Sequence, residues 1–115
     1  MEKSKRIKRE ENRLKKIFTG VDENKKGTVE GLIKRAAFMR ASLEDFEDDL
    51  DRNGFTEQFQ QGERQVPYDR KRPAADLYNT MNTGYQKIIK QLTDLLPDDK
   101  KGSDDLLDFL GGDRG

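Results

Sequence analysis

The sequence predicts an all-α fold: a long antiparallel helical hairpin preceded by a basic N-terminal helix or arm. Three observations predict it. Residues 29–50 and 74–95 each place apolar side chains at alternating steps of three and four, the spacing of a helix packed lengthwise on another helix. Between the two stretches stand Asn53-Gly54 and Pro73, a helix stop and then a helix start. Only 31% of the 115 residues are hydrophobic and 40% are charged, so a large core is out of reach.

Residues 3–18 have a helix-forming composition. Their apolar stripe, Ile7, Leu14, Ile17 and Phe18, is thin and interrupted at Glu10 and Glu11, and such a segment is marginal alone. It reads as a basic arm that lies along phosphates, in preference to a terminal helix docked by Leu14 and Phe18. Lys3, Lys5, Arg6, Lys8, Arg9, Arg13, Lys15 and Lys16 cannot all face one way on a helix, but an arm lays most of them along a DNA backbone. These eight are the candidate DNA-binding residues.

Thr19-Gly20 breaks the pattern and Asp22 is placed to cap the next helix. That first long helix is expected from about Asp22 to Arg52, with the seam Val29, Leu32, Ala36, Met39, Leu43, Phe46 and Leu50 broadened by Ile33 and Ala37. Its last turns hold Glu44, Asp45, Glu47, Asp48, Asp49 and Asp51, acids that oppose the helix dipole. Arg64, Arg70, Lys71 and Arg72 in the connection are the expected counter-charges. The acids lack the spacing of a calcium loop, so no metal is expected. Residues 55–72 are polar with Phe55, Phe59, Val66 and Tyr68 interspersed, and Gln61-Gly62 offers the turn of a short β-hairpin.

Pro73 suits a first helical turn and Pro97 stops the ladder. The helix between them, about 35 Å long, has the stripe Ala74, Tyr78, Met81, Tyr85, Ile88, Leu92 and Leu95, widened by Leu77, Ile89 and Leu96. Gly84 and three threonines weaken it in isolation. Two helices bury too little apolar surface to stand alone, so the two seams, with Ile33 and Leu77, are expected to drive oligomerisation. After Pro97 a polar spacer leads to Leu106, Leu107, Phe109 and Leu110 alternating with Asp. That pattern reads as a docking motif that folds on a partner, in preference to a flap over its own domain. The organisation is therefore residues 1–20 as a basic arm, 21–97 as a helical-hairpin oligomerisation domain, and 98–115 as an acidic docking tail.

The formal net charge is zero, yet the signs are segregated. Residues 1–18 hold eight basic and three acidic side chains, and residues 97–115 hold six Asp against Lys100, Lys101 and Arg114. Opposite ends of opposite charge imply two different partners. With no Cys and no His, thiol catalysis, His general bases and the usual zinc sites are absent. No nucleophile-and-base pair and no phosphate-cradling Gly loop is present. Neither an enzyme nor a cofactor is expected. No apolar run reaches the length of a membrane span and no signal peptide is read, so the expected location is the cytoplasm.

The run Gly31-Leu32-Ile33-Lys34-Arg35-Ala36-Ala37-Phe38-Met39, the acidic turn into Asn53-Gly54, and Arg72-Pro73-Ala74-Ala75-Asp76-Leu77-Tyr78-Asn79-Thr80-Met81 through Gln91-Leu92-Thr93-Asp94-Leu95-Leu96-Pro97 together resemble small terminase subunits of tailed phages, closest to the short prophage versions of Gram-positive bacteria. The resemblance covers roughly residues 22–97 and extends to the tail ending Asp-Phe-Leu-Gly-Gly. It implies a helical protein of the bacterial host cytoplasm that assembles into a homo-oligomeric ring, recognises double-stranded viral DNA, and presents it to the large subunit, which carries the ATPase and nuclease. Many small subunits have an N-terminal helix-turn-helix, for which residues 1–20 are too short, so DNA contact would fall to the arm or the ring surface. The alternative is a helical adaptor that bridges proteins and never touches DNA.

Overall fold

A computed structural model describes residues 1–112. Its elements are α1 (Lys3–Ile17), a 3-10 turn (Glu23–Lys25), α2 (Lys26–Asn53), β1 (Thr56–Phe59), β2 (Tyr68–Lys71), α3 (Pro73–Leu95), a second 3-10 turn (Asp98–Lys100) and α4 (Asp104–Gly112). The three long helices pack antiparallel, with α2 between α1 and α3. At 1.5 Å per residue α2 is about 42 Å long, whereas the molecule measures 64 × 27 × 24 Å. The two-stranded ribbon connects the end of α2 to the start of α3.

The hairpin of long helices matches expectation, with shifted edges. Asp22 caps no backbone N–H with its side chain, and a 3-10 turn intervenes before α2 begins. At the other end Gly54 adopts φ 82°, ψ 177°, open to glycine and strained for other residues, and its N–H closes the helix on the Leu50 carbonyl. α3 ends at Leu95 because Leu96 precedes a proline and is extended, with ψ 145°, the conformation that proline imposes on its predecessor. The strands pair antiparallel, with Thr56 opposite Lys71 and Phe59 opposite Tyr68. At the ribbon's base, the Arg72 N–H donates to the Phe55 carbonyl.

The seam of α2 divides in two. Val29, Ala36, Leu43 and Leu50 are buried, while the alternate positions Leu32, Met39 and Phe46 are half-buried. On α3 the buried residues are Ala75, Tyr85, Ile89 and Leu92, with Leu96 just beyond. Tyr78, Met81, Ile88 and Leu95 are half-buried, and Leu77 is 58% exposed. Gly84 leaves room for the Met39 methyl, which would stand 3.0 Å from a Cβ placed there. The glycine that lowers helix propensity thus lets α3 approach α2.

Of the two readings of residues 3–18, the structure holds the docked helix. Leu14 is fully buried and Phe18 is 3% exposed, in one core cluster with Ile33, Ala37, Tyr85 and Leu92. The thin stripe of α1 suffices because the facing surface of α2 is made short by Ala37 and Ala41, both at most 1% exposed. The tail also closes on its own domain. Leu106 is fully buried, Phe109 is 5% exposed and Leu110 is half-buried, leaving Leu107 outward. Phe109 meets Phe18 edge-on at 6.1 Å, a favourable aromatic geometry. The Ser103 hydroxyl accepts the Leu106 N–H and caps α4. A two-helix core too small to stand alone becomes a three-helix core with a fourth helix across one end.

Replacing Leu14 with Ala is expected to destabilise the fold by about 2–5 kcal/mol, read as a lower urea midpoint at unchanged slope. A loose arm would leave the midpoint where it was.

Candidate nucleic-acid interface

Docking α1 sorts its eight cations by the helical period. Leu14 and Phe18 point into the core, and at 100° per residue the opposite face is centred on Lys5, Arg9, Asn12 and Lys16, with Lys8 and Lys15 at its margin on the Glu11 side, all six exposed. From Lys5 to Lys16 this stripe runs about 16 Å along the axis. No acidic side chain lies on it. Lys8 stands 3.7 Å from Glu11 at its margin. Lys5, Arg9, Lys15 and Lys16 form no ion pair among the described residues. Asn12 is the one member that a count of charges overlooks. The signal for it is its i, i+4 relation to Lys8 and Lys16.

The other three cations turn to structural work. Arg6 donates from Nη1 to Asp45 Oδ1 at 2.7 Å and from Nη2 to the Ala41 carbonyl at 3.0 Å, with Glu44 3.6 Å away. Lys3 lies 3.6 Å from Asp45 and 4.9 Å from the centre of the Phe38 ring. Arg13 forks onto Glu10, one branch at 2.8 Å, and its guanidinium covers the Phe109 ring at 4.8 Å. These contacts fix the rotation of α1 about its axis, which keeps the cationic stripe outward.

The acidic end of α2 is neutralised from two directions, not from the connection alone. Glu44 and Asp45 take the α1 cations. Asp49 takes Arg72, whose Nη2 reaches both carboxylate oxygens at 3.0 and 2.9 Å while Nη1 donates to the Gly54 carbonyl at 2.7 Å. The Tyr78 hydroxyl donates to Glu47 at 2.8 Å, and Asp48 pairs with Arg52 at 2.9 Å. The rest of the basic loop looks elsewhere: Arg70 bonds Glu57 and covers the Phe59 ring, and Lys71 bonds Asp76. Among the described residues no group of three or more potential ligands is placed to hold a metal, and no helix is long and apolar enough to cross a membrane.

Of the fifteen residues read as oligomerisation contacts, seven are spent inside the chain. Val29, Ile33, Ala36, Leu43, Leu50, Tyr85 and Leu92 are core. The part that stays partly open is one strip on the flank away from α1: Leu32, Met39 and Phe46 of α2 beside Leu77, Met81, Ile88 and Leu95 of α3, with Tyr78 at its edge held by Glu47. Comparison of the chain with protein-family models, curated proteins and solved structures finds no match.

The hydrogen bond from Arg6, with the nearby positive charge, holds the Asp45 carboxyl below its ordinary 3.8. The bonds from Asn53 and then Arg72 do the same for Asp49. A carboxyl depressed by folding contributes stability above its unfolded pKa and loses it as pH falls through the lower, folded value. Acid below about pH 4 is therefore expected to loosen the N-terminus of α1, seen as faster amide exchange there. Asp45→Asn should bring that faster exchange to neutral pH and flatten its pH dependence.

Proposed function

We propose that this chain is a DNA-binding adaptor of the small-terminase type, which assembles with itself and hands viral DNA to an ATPase and nuclease partner. One observation carries the DNA-binding part: the outward face of α1 presents Lys5, Arg9, Asn12 and Lys16 with no acid among them, and Lys8 and Lys15 extend it at the Glu11 margin. Its members sit on a rigid helix already held in place, so phosphate contact orders only side-chain ends. Phosphate contacts supply affinity and orientation rather than sequence choice. Asn12, at the middle of the stripe, is the member able to hydrogen-bond a base edge. Four or five contacts from one copy bind weakly at physiological salt. Several copies on one duplex multiply them through avidity, and the half-buried strip on the far flank of α2 and α3 supports such self-association while leaving α1 free. The terminase assignment itself is supported by the sequence resemblance across residues 22–97.

A second reading, a protein-bridging adaptor without DNA, is favoured by a separate feature. Phe55, Val66 and Tyr68 along the ribbon and Leu77 early in α3 are 59, 84, 49 and 58% exposed, apolar groups open to protein contact.

Replacing Lys5, Arg9, Lys15 and Lys16 together with Ala is expected to weaken duplex binding. The slope of log affinity against log salt should become shallower by about 0.9 for each phosphate no longer neutralised. The fold and oligomeric state should not change. Ala at Lys34, Arg35, Lys87 and Lys90, an equal loss of four cations outside α1, serves as the matched control and should change little. Retention of both affinity and slope in the α1 variant would remove the DNA reading and leave the bridging one. Separately, Leu77→Asp alters an exposed position and should lower the mass measured by light scattering if the strip joins copies of the chain.

A further inference from the structure

The geometry points to α4 as an acidic gate on the C-terminal half of the α1 stripe, an intramolecular competitor for the phosphates that this stripe binds. The inference rests on the nucleic-acid reading of α1 and adds regulation to it. Leu106 and Phe109 dock α4 on the core, and Asp105 and Asp108, one turn apart, flank the buried Phe109 on one side of the helix. Both border a groove of about 350 Å³ whose other wall is Arg13, Lys16 and Ile17 of α1. Asp108 also borders a second groove, of about 520 Å³, shared with Arg6, Arg9 and Arg13. The acidic edge of α4 thus lies along the edge of α1 that carries Arg9, Arg13 and Lys16.

These charges face each other across open grooves without touching. Asp105 and Asp108 form no ion pair with the α1 cations among the described residues. They lower the positive potential there without consuming it, and at about 0.1 M salt the screening length of about 10 Å leaves that effect largely intact. A phosphate approaching Arg9 and Lys16 would meet two carboxylates, and like charges at short range repel. Lys8 has its own acid in Glu11, and Lys5 lines neither groove, so the gate acts on the part of the stripe from Arg9 to Lys16.

α4 has the build of a detachable element. It is nine residues long, short for a helix stable by itself, and a spacer containing Gly102 tethers it to α3. Two apolar side chains, Leu106 and Phe109, are buried when it docks. If docked α4 lowers the affinity of α1 for DNA by some factor, bound DNA must weaken α4 docking by the same factor. A protein that captured Leu106 and Phe109 would uncover the stripe, coupling that partner to DNA loading.

The test uses the full chain and a fluorescein-labelled DNA duplex at about 0.1 M salt, read by anisotropy. Asp105→Asn with Asp108→Asn keeps the apolar contacts of α4 and is expected to tighten binding about fivefold or more. Asp51→Asn with Glu63→Gln, an equal change in net charge on α2 and the ribbon loop, should tighten it far less. Amide exchange of residues 106–110 in the unaltered chain should quicken when DNA is added. Equal gains from the two double variants would reduce the effect to net charge and overturn the gate. Unchanged or slower exchange of α4 on DNA would overturn it independently. If neither the unaltered chain nor Asp105→Asn/Asp108→Asn binds the duplex, the α1 reading itself fails and the gate falls with it. Binding by all forms, lost on the fourfold α1 substitution but insensitive to Asp105 and Asp108, would keep that reading and overturn only the gate.

Discussion

The close seat of α1 on the alanine face of α2 is the contact on which the rest depends. α2 has to serve two neighbours. It buries Val29, Ala36, Leu43 and Leu50 along its seam, and it meets α1 with a surface made shallow by Ala37 and Ala41. A longer side chain at either alanine would lift α1 outward, and Leu14 and Phe18 would lose the neighbours that bury them. α4 would go too, because Phe109 packs on Phe18 and on the Arg13 side chain. A chain with so few apolar residues makes a core only by bringing elements close, and alanine is the residue that permits this.

Packing alone fixes the distance between α1 and α2 but not how α1 is rolled. The roll comes from charge. Arg6 spans Asp45 and the Ala41 carbonyl, and Lys3 reaches the same carboxylate. Half-exposed pairs of this kind contribute little to stability. Their effect is directional: with so thin an apolar stripe, a modest rotation would bury Arg9 or expose Leu14. One set of cations is held inward, and the remaining five are thereby held outward. The acids that look misplaced at the end of α2 are what make the basic face of α1 accessible.

The hairpin of long helices and the ribbon are legible in the sequence because their signals are local. Steps of three and four mark a helix wherever they occur, and Asn53-Gly54, Pro73 and Pro97 punctuate the chain without reference to anything distant. Complementarity between remote segments is not legible in the same way. Ala37 reads as a slight broadening of a seam, with nothing to say that a weak helix about 20 residues upstream needs a shallow surface. Leu106 and Phe109, three apart among Asp residues, read as a motif for another protein in preference to a lid on this one, because nothing local marks the surface that receives them. Proximity along the chain matches Glu44 and Asp45 to the basic cluster from Arg64 to Arg72, whereas their cations come from α1, 39 positions away in the case of Arg6 and Asp45. The stripe on α1 lies between these cases. Its period is in the sequence, but which face points out depends on which face finds a partner.

Segregated charge in a chain of zero net charge acquires a physical meaning from this arrangement. Separate tails would act as independent attractors, one for anions and one for cations, at any distance. Folding instead brings the acidic C-terminal helix against the basic N-terminal one, so each moderates the field of the other within a screening length. The far field of the molecule is weak, and long-range steering of DNA is reduced while α4 is seated. Strong attraction then requires a local event that separates the two helices. On the proposed nucleic-acid reading, Lys5, which lines neither of the grooves bordered by Asp105 and Asp108, remains available for a first weak contact. If α1 binds DNA as proposed, contact at Lys5 comes first, seated α4 weakens contact at Arg9 and Lys16, and engagement there loosens α4 and favours release of the Leu106 and Phe109 surface.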